Sequence, residues 1–400
     1  AVWGRGSCDM KCGTSTSIFT FMYLNRIREH LNGKLTLTCV SDEEVFGPWG
    51  ARYLMEHHPE VHGDCCLNGE PSSPFSIRFG EKGPYWVTFH IRTKGAHGAY
   101  THAGGSASLV AMAFCQDLRQ AIDAIDVEPP HNIGTALEEA RNTLDRAMGE
   151  GAHTIIQKVT CNIGVIEAGE KVNVAPGSAR IEADIRLPVG CDKDTVTRVI
   201  ENVLARHPDV TMEEQNYMAP SWCDPYGEMV GILQNNVESL AGYRPTPIVS
   251  LGGTDARLWR YRGIGGYVYG PFPYGMGQRD EHVPVDDYFH VVKSHVLSAY
   301  DYLKAACPSH SNNKKVSFMP AISADLILKN GRFVTFDDDG STAEAVACWN
   351  GRILAVGDGG EVSAFAGPST KTIDLGRKTV IPGLIDSHCH PDAHAITYTL

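Results

Sequence analysis

Cysteines spaced as CxxC are missing from this sequence, and the adjacent Cys65-Cys66 read as ordinary half-buried thiols. Its 12 cysteines are scattered and form no CxxC pair. That excludes a small disulfide framework and argues against a structural zinc site, which takes its ligands in two close pairs. Cys8 and Cys12 flank Asp9, yet without a second pair they read as ordinary thiols. Long apolar runs are also missing: nothing approaches the roughly 18 residues a membrane helix needs. The opening AVWGRGSC has no charged stretch followed by an apolar one, so it does not read as a secretory signal. Positive charge is scarce. Lys and Arg number 35 against 47 Asp and Glu, a formal net charge of −12. No broad basic face for nucleic acid or anionic membrane follows from that balance. Together these absences predict a cytoplasmic protein with reduced thiols, binding neither nucleic acid nor membrane.

What is present is a chain of 400 residues, 42% hydrophobic, enough for two or three domains with ordinary cores. Strand-like and helix-like segments alternate, which predicts an α/β fold. Ser15–Leu31 has the spacing of an amphipathic helix, Leu35–Val40 reads as a buried strand, and a helix follows over Pro48–His57. Near Tyr85 the texture changes. Alternating residues Tyr85–Arg92 form a strand, then come helices around 106–125 and 135–148, strands at 154–166 and 179–187, and a helix around 193–206. This α+β block interrupts the first pattern, which resumes near Met218. The expected domains are 1–80 and 216–307 as two parts of one α/β body, 81–215 as the insertion, 308–322 as a polar linker, and 323–400 as a small β segment punctuated by glycines.

Acidic residues gather at loop-like positions of the first body. Asp9 lies in GRGSCDMK, Asp42-Glu43-Glu44 in SDEEVFGPWGA, and Glu70 in LNGEPSSP. The glutamate pair lies just past an expected strand end, where ligands bind in open α/β sheets. Alone, an acidic triplet reads more simply as a helix N-terminal cap. Carboxylates drawn from three separate turns suit two divalent cations, with one carboxylate left free as a base.

These motifs, with KGAHGAYTHAGGSA, KVNVAPGSARIEADIR, GGTDAR and RDEHVPVDDY in the same order, resemble the zinc amidohydrolase family of aminoacylase, carboxypeptidase G and succinyl-diaminopimelate desuccinylase over residues 1 to about 305. The resemblance implies a metal-dependent hydrolase cleaving the amide of a small N-acyl amino acid or dipeptide with a free carboxylate. It implies two metal ions, zinc first, with manganese or cobalt as alternatives. Asp9 would bridge them, Glu44 and Glu70 would be terminal ligands, and Glu43 would be the general base. The insertion would be a lid that also forms a homodimer. His97 would then reach a partner's site to polarise the scissile carbonyl. Asn173 and Arg186 would bind the substrate carboxylate, Arg186 through its bidentate fork, against the simpler reading that it pairs with Glu182 or Asp184. Thr254 and Asp255 could offer backbone donors. Two departures stand out. The family's opening His-x-Asp motif has no counterpart after Ala1, and the family's later metal histidine falls on Gly277, leaving His282 as the substitute ligand.

The last segment has its own resemblance. ADLILKNGRFVTFD, NGRILAVGD and TVIPGLIDSHCH look like the start of a urease-related amidohydrolase. There a small β-sandwich precedes a metal-binding barrel whose first strand would carry His388 and His390. A lone first strand closes no barrel, so a partial β-sandwich without activity is expected. Two rivals to the hydrolase reading follow: a dimerising, carboxylate-binding fragment without catalysis, and part of a fusion whose activity is that of the second module.

Overall fold

The computed structural model describes residues 1–304, 324–335, 341–349, 352–363 and 365–380. The chain divides into two compact units, 1–307 and 308–400.

In the first unit, helix Cys12–Arg26 buries Cys12, Thr16, Thr20 and Leu24. Their spacing of four puts them on one stripe. That stripe packs against the closing helix Val285–Leu303. Strand Ser76–Glu81 pairs in parallel with Thr246–Ser250 and antiparallel with Ser221–Trp222. Gly265–Val268 runs parallel to Cys65–Asn68 and touches Ser76–Glu81 through Val268 and Arg78. Ile77, Phe79, Ile248, Val249 and Val268 are buried, as strands covered on both faces require.

A second sheet is wholly antiparallel, in the order Thr160–Ala168, Ser178–Leu187, Gly83–Arg92, Val210–Tyr217. Tyr85, Val87, Phe89 and Ile91 face inward against helices Ala107–Asp123 and Lys193–Leu204. The alternate residues Trp86, Thr88 and His90 line the other, polar face with Arg180, Glu182, Asp184 and Glu213, along a cavity of about 610 Å³. Gly83 lets the two chain crossings between the sheets run side by side, because a Cβ there would strike the Met218 carbonyl. Residues 131–156 take a different course from the rest of the insertion. Ile133, Leu137, Leu144 and Ile156 join the core built around Ile77, Phe79 and Ile248.

The first unit departs from sequence expectation in several places. The first helix starts and ends earlier than Ser15–Leu31 and gives way to a short turn at Arg28–His30. Residues 154–155 end a short helix, and the strand begins only at Thr160. Leu35–Val40 forms no strand. Among the described residues no ladder joins it to Cys65–Asn68; both line one cavity of about 490 Å³. Alternation and β-propensity set which side chains could face inward, but a strand needs a partner's backbone to complete it.

In the second unit, Ala324–Lys329 pairs with Ala345–Trp349 and Ala366–Asp374, and Arg352–Gly357 pairs with Ala345–Trp349. A smaller sheet joins Arg332–Val334 to Thr342–Ala343 and Thr379–Val380. Ala324, Ile327, Ala345 and Ala347 of the larger sheet form a core with Val362, which comes from a short helix, Gly359–Ser363, that the β reading omitted. The linker at 308–322 and the two histidines His388 and His390 lie outside the described residues.

Candidate active site

Asp9 sits in the irregular turn Ser7–Lys11 that feeds the first helix. Glu281, from the far end of the unit, fastens this turn. Its Oε1 accepts from the backbone N–H of Cys8 at 2.9 Å and of Asp9 at 3.2 Å, and its Oε2 lies 2.9 Å from Arg5 Nη1. Burial pushes the Glu281 carboxyl up, but Arg5 and the backbone donors outweigh it and bring it to about 2. Glu281 is therefore an ionised clamp on the Asp9 loop. The sequence reading noticed only its neighbour, His282.

Glu70 is buried at the end of Cys65–Asn68, its N–H held by Asn68 Oδ1 at 2.6 Å. Glycines bring it close to Asp9's helix. A Cβ on Gly13 would run into the Gly69 carbonyl, and one on Gly270 into that of Glu70. Burial raises the Glu70 carboxyl well above its usual range, and the charges of Asp9 and Glu43 raise it further. Asp9 is raised by burial and then by the charges of Glu44 and Glu281, against the pull of Arg5.

The 42–47 loop is closed by its own backbone. Gly47 N–H donates to the Asp42 carbonyl at 2.9 Å and Phe46 N–H to the Glu43 carbonyl at 2.8 Å. Asp42 Oδ2 accepts from Trp49 N–H at 3.0 Å, so Asp42 shapes the loop. Glu43 is raised to about 7, first by burial and then by Asp255, against the pull of Arg257. Glu44 adds its charge to both Asp9 and Glu43. Asp9, Glu43, Glu44 and Glu70 thus form one electrostatic neighbourhood. Among the described residues, however, no group of three His, Cys, Asp or Glu side chains is arranged to hold a metal ion.

Behind Glu43 lies a buried polar network that sequence reasoning missed. Glu81 receives Thr254 N–H and Thr254 Oγ1, each at 3.1 Å, and Arg260 Nη1 at 2.9 Å, with Arg257 Nε at 3.2 Å. Thr254 faces inward, so the expected donation from Thr254 to a substrate is replaced by two bonds to Glu81. Asp255 is raised by burial, and its Oδ2 is buried without a hydrogen-bond partner. The GGTDAR glycines and alternating charges hinted at a special turn. Nothing in one dimension paired Glu81 with Arg257 and Arg260.

The remaining candidates sit elsewhere. His282 is stacked between Trp3 at 4.2 Å and Tyr274 at 5.1 Å, with Nδ1 2.9 Å from the Asp280 carbonyl. Gly277, with φ of 75°, is a turn residue. Arg186 is engaged by Asp184, Nε at 2.8 Å and Nη2 at 2.9 Å, which is the simpler pairing the sequence allowed. His97 is exposed on a two-residue strand paired with Val174–Ala175, and Gly98 N–H donates to the Asn173 carbonyl at 2.7 Å. His97 and Asn173 therefore share one exposed tip. Among the described residues no hydrogen bond or ion pair links that tip to the carboxylates.

A layered α/β body gathers Asp9, Glu43, Glu44 and Glu70 from separate turns and is joined to an antiparallel sheet. The family model described as Peptidase family M20/M25/M40 matches residues 1–301, and the chain belongs to that family. Over 297 residues it is 26% identical to a succinyl-diaminopimelate desuccinylase of Gluconacetobacter diazotrophicus, covering 72% of this chain and 69% of that protein. The fold is shared with the M20 family metallo-carboxypeptidase of Sulfolobus solfataricus, with a TM-score of 0.61 at 18% identity, covering 75% of this chain and 78% of that one. A stretch of 80 residues is 41% identical to Protein LONG AFTER FAR-RED 3 of Arabidopsis thaliana, covering 20% of this chain but only 14% of that protein. No helix among the described residues is long and apolar enough to cross a membrane, and every described cysteine is free.

Proposed function

We propose that the first unit hydrolyses the amide bond of small N-acyl amino acids or dipeptides carrying a free carboxylate, in the reducing cytoplasm. The observation that carries this reading is the gathering of Asp9, Glu44 and Glu70 from three separate turns, Asp9 within reach of the charge of both others, beside a Glu43 raised to about 7. Like charges buried together are costly, and that cost is what raises the Asp9, Glu43 and Glu70 carboxyls. A divalent cation answers the same need, and hard oxygen donors suit it. Asp9, Glu44 and Glu70 would hold two such ions, zinc first, with manganese or cobalt as alternatives, and His282 would serve as the further ligand on leaving its stack between Trp3 and Tyr274. Bound there, zinc would act as a Lewis acid toward the amide carbonyl.

Glu43 takes a proton from the attacking water and returns it to the leaving amine, a role suited to a carboxylate whose pKa lies near neutrality. His97 of a partner subunit, with Asn173 beside it, would steady the carbonyl oxygen. Arg186 would meet the substrate carboxylate after release from Asp184. Exposed Leu109 and Met112 on helix Ala107–Asp123 would lie in the homodimer contact. Assay of an N-acyl amino acid panel with added zinc is the direct test. Glu43→Gln should lower kcat by about 10²–10⁴-fold, and equal rates in both proteins reject Glu43 as base.

The absence of any three-ligand group among the described residues favours a second reading, a carboxylate-binding scaffold without catalysis. Metal analysis after zinc loading separates the two: two ions per chain support the hydrolase, and none supports the scaffold.

A further inference from the structure

Arg257 has an arrangement that a purely structural arginine would not need. Its side chain is 2% exposed, yet Nη2 has no hydrogen-bond partner. The Nε side of the guanidinium is occupied by the Thr254 carbonyl and Glu81, and Nη1 meets only the weak acceptor Met218 Sδ, at 2.8 Å. Glu81 is shared with Arg260. Asp255 is a second carboxyl within Arg257's reach, yet Nη2, left without a hydrogen-bond partner, lies on the side of Glu43 in the 42–47 loop.

That loop meets Arg257 at two points. Glu43 Oε1 lies 3.7 Å from Nη2, and the Phe46 ring lies 4.6 Å from the guanidinium carbon. Phe46 has a φ of 53° and Asp42 a φ of 70°. A bulky aromatic rarely adopts this region, so surrounding contacts must hold it there. The Phe46 ring also packs 5.6 Å from Trp86 at the start of the second sheet.

We propose that Arg257 is a positioning residue that grips the 42–47 loop at both ends, by charge at Glu43 and by cation–π stacking at Phe46, and so fixes where Glu43 points. Lysine supplies the charge but not the planar face, and leucine supplies bulk but not the ring quadrupole. The catalytic part of this inference rests on Glu43 being the base; the gripping part does not.

Two variants of the whole chain, Phe46→Leu and Arg257→Lys, test it by hydrogen exchange and by kinetics. Phe46→Leu should leave the thermal midpoint near that of the native protein. It should speed exchange of the Phe46 and Gly47 amides by about tenfold, the loss of one desolvated cation–π contact. On whichever N-acyl amino acid the native protein hydrolyses, kcat should fall by about tenfold with KM unchanged, since a loosened base loses orientation and not substrate contact. Arg257→Lys should move both readouts further the same way. Unchanged exchange over 42–49 in a folded Phe46→Leu protein overturns the grip. Faster exchange with unchanged kcat overturns the positioning role. If the native protein hydrolyses nothing on the panel, the functional reading has failed, and the exchange arm alone decides the grip.

Discussion

Glu43 and His295 carry opposite pH dependences, and each follows from what surrounds the side chain. Burial lowers His295 to about 4, although its Nε2 lies 2.6 Å from the Tyr269 carbonyl, which opposes the shift. An unfolded histidine titrates near 6.5, so between pH 6.5 and 4 the unfolded chain binds the extra proton. Its contribution is therefore full above 6.5 and is lost as pH falls toward 4, a span of about 3 kcal/mol. Glu43, raised to about 7, works the other way. Between its unfolded value and 7 the folded chain binds the extra proton, so stability is lost as pH rises through that window, again by up to about 3 kcal/mol. In the metal-free protein the two largely offset each other. Urea midpoints measured from pH 5 to 7 should rise more steeply with pH in Glu43→Gln than in the native protein, and less steeply in His295→Gln. Parallel profiles in all three proteins would show that neither group is buried as described.

The acidic residues were legible in the sequence because they stood out of place, at turns after apolar runs. Their partners were not. Glu281 stands 272 positions from Asp9, and Arg260 stands 179 from Glu81. Only closure of the chain makes either pair a contact. Arg186 shows the opposite case: Asp184 lies two positions away on the same strand face, and the local pairing prevailed.

At the scale of elements, helices with a clear apolar stripe were foreseeable and Leu35–Val40 was not. Helix Lys193–Leu204 even carries its own start signal, Asp192 accepting from Thr195 N–H at 2.7 Å. A helix satisfies its backbone internally, whereas a strand depends on a neighbour that sequence spacing does not name. Where two elements approach closely, glycine decides the distance. Gly13 admits the Gly69 carbonyl against the first helix. Gly13→Ala improves helix propensity in isolation, yet it should destabilise the protein by about 1–3 kcal/mol through overpacking. If Asp9 and Glu70 hold zinc as proposed, it should also weaken zinc binding by shifting Asp9 from Glu70. Thermal unfolding and zinc titration check both, and a rise in the midpoint would show that the two turns are not in contact.

For the whole molecule, the second sheet has one face covered by helices and one left polar. Helix Ala107–Asp123 still exposes Leu109 at 64% and Met112 at 59%. Three positions apart, they lie on the same side of that helix. If the homodimer forms there, Leu109→Asp with Met112→Asp should shift the dimer to monomer in sedimentation or light scattering while each chain stays folded. Activity should fall with it, because His97 would lose the site it serves. A native protein that is monomeric throughout the assay range, or active as the double variant's monomer, rejects the shared site.

By itself the sequence determined the class of fold, the periodic faces of its longer helices and strands, and which acidic residues are chemically out of place. These follow from local propensity and the pattern of burial, which repeat along the chain. Tertiary structure alone decided that Glu281 clamps Asp9, that Glu81 joins Arg257 and Arg260, that Thr254 turns inward, and that Leu35–Val40 lacks a ladder. Each depends on a partner distant in sequence, and contact between such residues exists only once the chain has closed on itself.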